Sequence, residues 1–169
     1  MERIKTAAPA AERGLLCSSL AAMGVLAAGL AMSNPAQAAG SVMGAEKLRR
    51  LDIMLMVTGL RCRTGADNFT ADYGRFTSSQ LRELNQANDE LKADMARRYG
   101  AAGAQRALDR LSTTMANTYG QGHPWLSCAQ LKTVAQNLST VRGRATLEEA
   151  ADQLLSNYSP QQFALATRR

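Results

Sequence analysis

Histidine is nearly missing from this chain, and what it lacks narrows its chemistry before any pattern is read. A single histidine, His123, and three cysteines stand among 169 residues, whereas a closed zinc site needs four side chains, usually in close pairs. No G-x-S-x-G elbow occurs to carry a serine hydrolase. No strand pattern is followed by G-x-G-x-x-G, and Gly120 and Gly122 form a G-x-G only between helical segments, so a dinucleotide fold has no fingerprint here. Internal repeats and low-complexity tracts are missing too. No cofactor is therefore expected.

The first residues carry Arg3, Lys5 and Arg13 against Glu2 and Glu12, and an uncharged run rich in Leu, Ala, Val and Met follows from Leu15 to Met32. A charged stretch, an apolar stretch and then small residues form, in order, a secretory signal peptide. Pro35 is expected to break the apolar helix, and Ala36 and Ala38 give the A-x-A pattern that places cleavage after Ala38. Cys17 lacks a small residue just before it and no twin arginine precedes the apolar run, so ordinary Sec export is implied, to the periplasm or beyond the cell. An uncleaved anchor is the alternative, since the run is near the lower limit for crossing a bilayer about 30 Å thick. Residues 1–38 are assigned to the signal and 39–169 to one domain, with 45–138 as its core and 139–169 as a C-terminal helix and tail.

Lysine is scarce in that domain: Lys47, Lys92 and Lys132 are its only ones, and arginine supplies the rest of the positive charge. Such an excess suits an anionic partner such as a lipid surface, or reflects a GC-rich coding bias. Export argues against nucleic acid.

From Ala45 to Cys62, Leu48, Leu51 and Leu55 share a stripe while Ile53, Met54, Met56, Val57 and Leu60 fill other faces. A helix apolar most of the way round is a buried axis. Asp52 is the charge in the middle of it, and Arg49, three residues earlier on the same face, is expected to be its ion-pair partner. The chain loses its period from Arg63 to Thr77, predicting a long connection pinned by Phe69, Tyr73 and Phe76. Asp67, Asn68 and Asp72 do not have the spacing of a calcium loop. Behind cap candidates Ser78 and Ser79, Leu81, Leu84, Asn88, Leu91 and Met95 repeat at helical spacing up to Gly100. After a turn at Ala101–Gly103, a second stripe runs from Ala104 through Leu108, Leu111 and Met115 to Tyr119, so the two helices should form an antiparallel hairpin. Ser127 should cap a helix to Leu138, and Thr146 one from Leu147 to Tyr158, with Pro160 opening a short final segment.

Few residues are left for chemistry. Glu148 and Asp152 share a helix face at i, i+4, a spacing open to acid–base work but commoner on a solvated face. His123, Pro124 and Trp125 stand just ahead of Cys128, at a helix N-terminus that would lower a thiol pKa. A Cys128 nucleophile with His123 as base is conceivable there, and so is a ligand loop of His123 and Trp125. The plainer readings are a disulfide between Cys62 and Cys128, the two cysteines left after export, with Trp125 as a packing anchor and His123 bonded to backbone.

The blocks LRRLDIMLMVTGLRCR, ADNFTADYGRF and RALDRLSTTMANTYGQGHPWLSC, within roughly Leu48 to Leu138, resemble a group of short exported bacterial proteins that carry the label S-adenosyl-L-homocysteine hydrolase. The resemblance implies export and, by that label, hydrolysis of S-adenosylhomocysteine. The large enzyme of that name holds NAD in a Rossmann domain, and with none of its motifs here no catalytic residue transfers. The expected molecule is an all-α bundle of four or five helices with a central hairpin and one disulfide. It is expected to serve as a non-enzymatic binding or envelope-support module in the periplasm or outside the cell. A small hydrolase is the alternative and an exported stress chaperone the second, while the expected partner is a protein, an envelope component or an anionic lipid surface.

Overall fold

The computed structural model describes residues 35–156, with side chains from residue 40 onward. The apolar run at 15–32 with Cys17, the anchor alternative and the segment after Pro160 lie outside the described residues. Five helices follow one another: α1 (Pro35–Cys62), α2 (Thr70–Ser79), α3 (Leu81–Thr118), α4 (Cys128–Thr140) and α5 (Arg144–Leu155). Among the described residues none is a strand, and no helix is long and apolar enough to cross a membrane.

α1 is the axis, packed against each of the other four helices. It starts ten residues before the expected Ala45, because Pro35 opens a helix rather than ending one; its fixed φ and missing N–H suit a first turn. Leu48, Leu51, Met54 and Leu55 are fully buried along it. The wrapping is incomplete, for Met56 and Leu60 on another face stay exposed.

α2 falls inside what the sequence suggests is an irregular connection, and the correction has a local cause. Asn68 Oδ1 accepts from the Thr70 backbone N–H at 3.0 Å and from its hydroxyl at 2.8 Å, an Asx-type start for a helix. Phe69, Tyr73 and Phe76 then recur at i, i+4 and i+7, and both phenylalanines are fully buried. Gly59 of α1 lets the Phe69 ring approach to 3.4 Å of where a Cβ would stand. Gln80 closes α2 and donates to the Leu138 and Val141 carbonyls at 2.8 and 3.0 Å, satisfying the end of α4.

α3 is the expected hairpin. Asn88 lines the same cleft as Arg49, while Ser112 accepts from Arg49 at 3.1 Å. A straight helix would hold residues 88 and 112 roughly 36 Å apart. The reversal occurs at Gly100 itself, with φ 71° and ψ 164°, a conformation open to glycine, and not across the expected Ala101–Gly103. The buried stripe of the first arm is also rotated by one residue from expectation. Glu83, Ala87, Leu91 and Asp94 face inward, while Leu81 is 57% exposed. Arginines make the buried acids tolerable: Arg82 pairs with Glu83 at 2.7 Å, and Arg97 and Arg98 with Asp94 at 3.0 and 2.8 Å.

The Cys62 and Cys128 sulfurs are bonded at 1.99 Å, joining the end of α1 to the start of α4 across 66 residues. Ser127 caps α4 in a capping box with Gln130. α5 begins three residues before the expected Leu147, behind Gly143 at φ 85°, and its described span ends at Leu155. Arg144 grips Glu90 with two 2.8 Å bonds and Glu148 with one of 2.6 Å, tying α5 to the hairpin. Gly44 of α1 makes room for that network, since a Cβ there would collide with the Glu148 carboxylate.

Candidate functional site

The residues singled out from the sequence end up in different places, and most are held by neighbouring protein groups. His123 Nε2 donates to the Leu154 carbonyl at 3.0 Å. Its Nδ1 accepts from the backbone N–H of Leu126 at 3.2 Å and of Trp125 at 3.4 Å, which fixes the tautomer. The Trp125 indole meets the imidazole edge-on at 4.7 Å and donates to the Ser156 carbonyl at 3.4 Å. Burial holds the His123 pKa below its usual value, partly offset by the Leu154 bond. With both nitrogens bonded and Cys128 in the disulfide, the loop works as a clasp that holds the end of α5, and the nucleophile–base pairing is corrected.

Glu148 and Asp152 likewise face different cations. Glu148 belongs to Arg144, and Asp152 pairs with Lys47 at 2.8 Å. Asp72 receives Arg75 and Gln136, and Asn68 is the cap described above. Among the described residues, no group of three or more His, Cys, Asp or Glu side chains could hold a metal ion. Much of the arginine excess is similarly engaged: Arg50, Arg75, Arg82, Arg97, Arg98 and Arg144 all sit in ion pairs.

Arg49 and Asp52 form no direct ion pair, contrary to expectation. Arg49 turns toward the second arm of α3 and donates to the Ser112 hydroxyl from Nε at 3.3 Å and Nη2 at 3.1 Å. Asp52 Oδ1 instead accepts from the Tyr73 hydroxyl of α2 at 2.9 Å. Hydroxyls on two other helices thus hold the charges apart on one wall of α1. Burial raises the Asp52 pKa, against the pull of the Tyr73 bond and the Arg49 charge. Burial and the neighbouring Asp52 charge push the Tyr73 phenol far above its ordinary value, so it stays a donor.

These groups line a cleft of about 340 Å³ with Thr77, Leu81, Leu84, Asn85 and Asn88, at the small end of the range for ligand pockets. Asn85 and Asn88, three residues apart on the first arm of α3, present two side-chain amides to it. A groove of similar size, about 350 Å³, between α1 and α5 is lined by Met43, Glu46, Lys47, Arg50, Asp152, Leu155 and Ser156. There Lys47 pairs with Asp152 and Arg50 with Glu46, so its charges are already neutralised.

Sequence reasoning found Arg49 and Asp52 but missed Tyr73 and the two asparagines as their company. One signal pointed there: Asn88 is an amide within the periodic stripe of leucines. Comparison with family models, with curated proteins and with solved structures finds no match.

Proposed function

We propose that this protein is an exported, non-enzymatic binding module of the bacterial envelope, and that the cleft between α1, α2 and the first arm of α3 is where it takes its ligand. One observation carries this reading. Asp52 and Tyr73, both shifted upward by burial, converge with Arg49 in a small cleft where the opposite charges of Arg49 and Asp52 are held apart, the pattern of a candidate functional site. Export rests on the signal-like order of residues 1–38. Binding is favoured over catalysis because His123, Cys128, Glu148 and Asp152 already hold helices together.

The test has three parts. Protein recovered from the envelope fraction should begin at Ala39, and an intact Met1 in a membrane pellet would contradict export. A thermal-shift screen of small polar compounds should find some that stabilise the mature protein but not the Asn88→Leu variant. Turnover of S-adenosylhomocysteine above a no-enzyme control, abolished by Asp52→Ala or His123→Ala, would replace this reading with the hydrolase.

A further inference from the structure

We infer that the cleft recognises a compact zwitterion, a ligand whose anionic group meets Arg49 while its ammonium meets Asp52. The inference rests on the cleft being the binding site and names the ligand's chemistry.

The argument starts from groups whose bonding capacity is left over. Arg49 uses Nε and Nη2 on one hydroxyl oxygen, that of Ser112, and Nη1 takes no partner from the described residues. A guanidinium has five N–H donors and can grip a carboxylate in a fork. Asp52 accepts at Oδ1 from Tyr73, and Oδ2 has no partner among the described residues. An ionised carboxylate can accept several hydrogen bonds, and Asp52 is partly removed from water. The side-chain amides of Asn85 and Asn88, on the facing wall, make no hydrogen bond within the described residues and supply donors and acceptors without charge.

The placement of the charges then sets the ligand's character. Arg49 and Asp52 line the same cleft while each leans on a different helix, so a cation and an anion face one ligand without neutralising each other. A lone anion in the cleft would leave Asp52 beside it and be repelled; a lone cation would meet Arg49. A molecule carrying both charges satisfies both groups, and the cleft, at about 340 Å³, holds a molecule of amino-acid size. Free amino acids and the phosphoethanolamine unit of a lipid headgroup share this chemistry.

Titration calorimetry on the mature, oxidised protein tests it, with glycine, L-alanine, L-glutamine and phosphoethanolamine as probes, each beside its N-acetylated form, and the amino acids also beside their methyl esters. At least one free zwitterion should bind, with its blocked forms weaker by roughly tenfold or more, as expected for loss of a charged hydrogen bond. Preference for an amino acid assigns the source to free solutes, and preference for phosphoethanolamine assigns it to the headgroup. Arg49→Gln and Asp52→Asn should each weaken binding by a similar factor while circular dichroism stays unchanged. Should either variant misfold, the wild type still decides: on saturation the Asn85 and Asn88 side-chain amide resonances should shift and that of Asn68 should not. Equal binding of free and blocked forms, or binding of no probe, would overturn the inference. If neutral compounds from the screen still stabilise the protein through Asn88, the binding-module reading survives that failure; if nothing does, both fall.

Discussion

The clasp at one end of α1 and the cleft along its side are both built from polar groups on several helices, yet they are opposite in kind. At the clasp every candidate for chemistry is satisfied: Cys62 and Cys128 by each other, and both His123 nitrogens and the Trp125 indole by backbone. At the cleft, Arg49 and Asp52 lean on neutral hydroxyls and keep bonding capacity in reserve. Polar groups bonded within the protein stabilise a fold, whereas charged groups that keep atoms open to solvent in a cleft can meet a ligand. Damage at the clasp should therefore appear in stability, and damage at the cleft in binding.

The sharpest way to break the contrast is to remove the disulfide. On the chain-entropy model a closed loop of 66 residues is worth about 4 kcal/mol, so Cys62→Ser with Cys128→Ser should lower the melting temperature by roughly 15 °C. Reducing the wild type should do the same. Non-reducing peptide mapping that finds both thiols free in protein taken from the envelope would remove the clasp from the account.

Next in size is His123→Ala, which leaves the Leu154 carbonyl and the Leu126 N–H without partners. Urea unfolding should register a loss of about 2 kcal/mol. Hydrogen exchange should show the loosening concentrated in α5. A loss spread evenly over the bundle would mean that the loop does not act as a clasp.

Acid should separate the two regions by sign. The folded pKa of His123 lies below its ordinary 6.5 because burial disfavours the charged ring. The unfolded chain then binds more protons, so this contribution is present above about 6.5 and lost as pH falls through the folded pKa. Asp52 is raised by burial above its ordinary 3.8, so its contribution is present below that value and lost as pH rises through the folded pKa. His123→Gln should flatten the loss of stability below about pH 6.5.

The smallest effect belongs to Asp52→Asn. It removes a partly buried charge while an amide oxygen still accepts from Tyr73, so at neutral pH the variant should melt at or slightly above the wild type. The difference should disappear below pH 3.8, where Asp52 is neutral in the folded and the unfolded chain alike. A clear destabilisation at neutral pH would make Asp52 a stabilising group like those of the clasp.

Much of this frame is legible in the chain. The two cysteines beyond residue 38 leave one pairing, Ser127 reads as the cap of α4, and two apolar stripes around Gly100 fold into a hairpin. These signals are local or follow from counting. α2 escapes because its start depends on the Asn68 side chain and its stability on Phe69 and Phe76 reaching α1, while Gly74 and the Asx residues resemble a loop. The register of the first α3 arm escapes because Glu83 and Asp94 look like surface residues until their arginines fold over them. The Arg49–Asp52 pair was read from spacing along one helix, and Tyr73 and Ser112 on two other helices redirect it. The cleft is thus a tertiary property, announced in the sequence by Asn88 alone among its leucines.

Native mass spectrometry of protein incubated with desalted-in envelope solutes tests the division of labour most directly, comparing the wild type, a cleft variant with Arg49→Gln and Asn88→Leu, and a clasp variant with His123→Gln. The wild type and the clasp variant should retain the same small molecule, and the cleft variant should retain none while keeping its disulfide and its helical spectrum. Retention by the cleft variant together with loss from the clasp variant would contradict the account and return His123 and Trp125 to the centre of function.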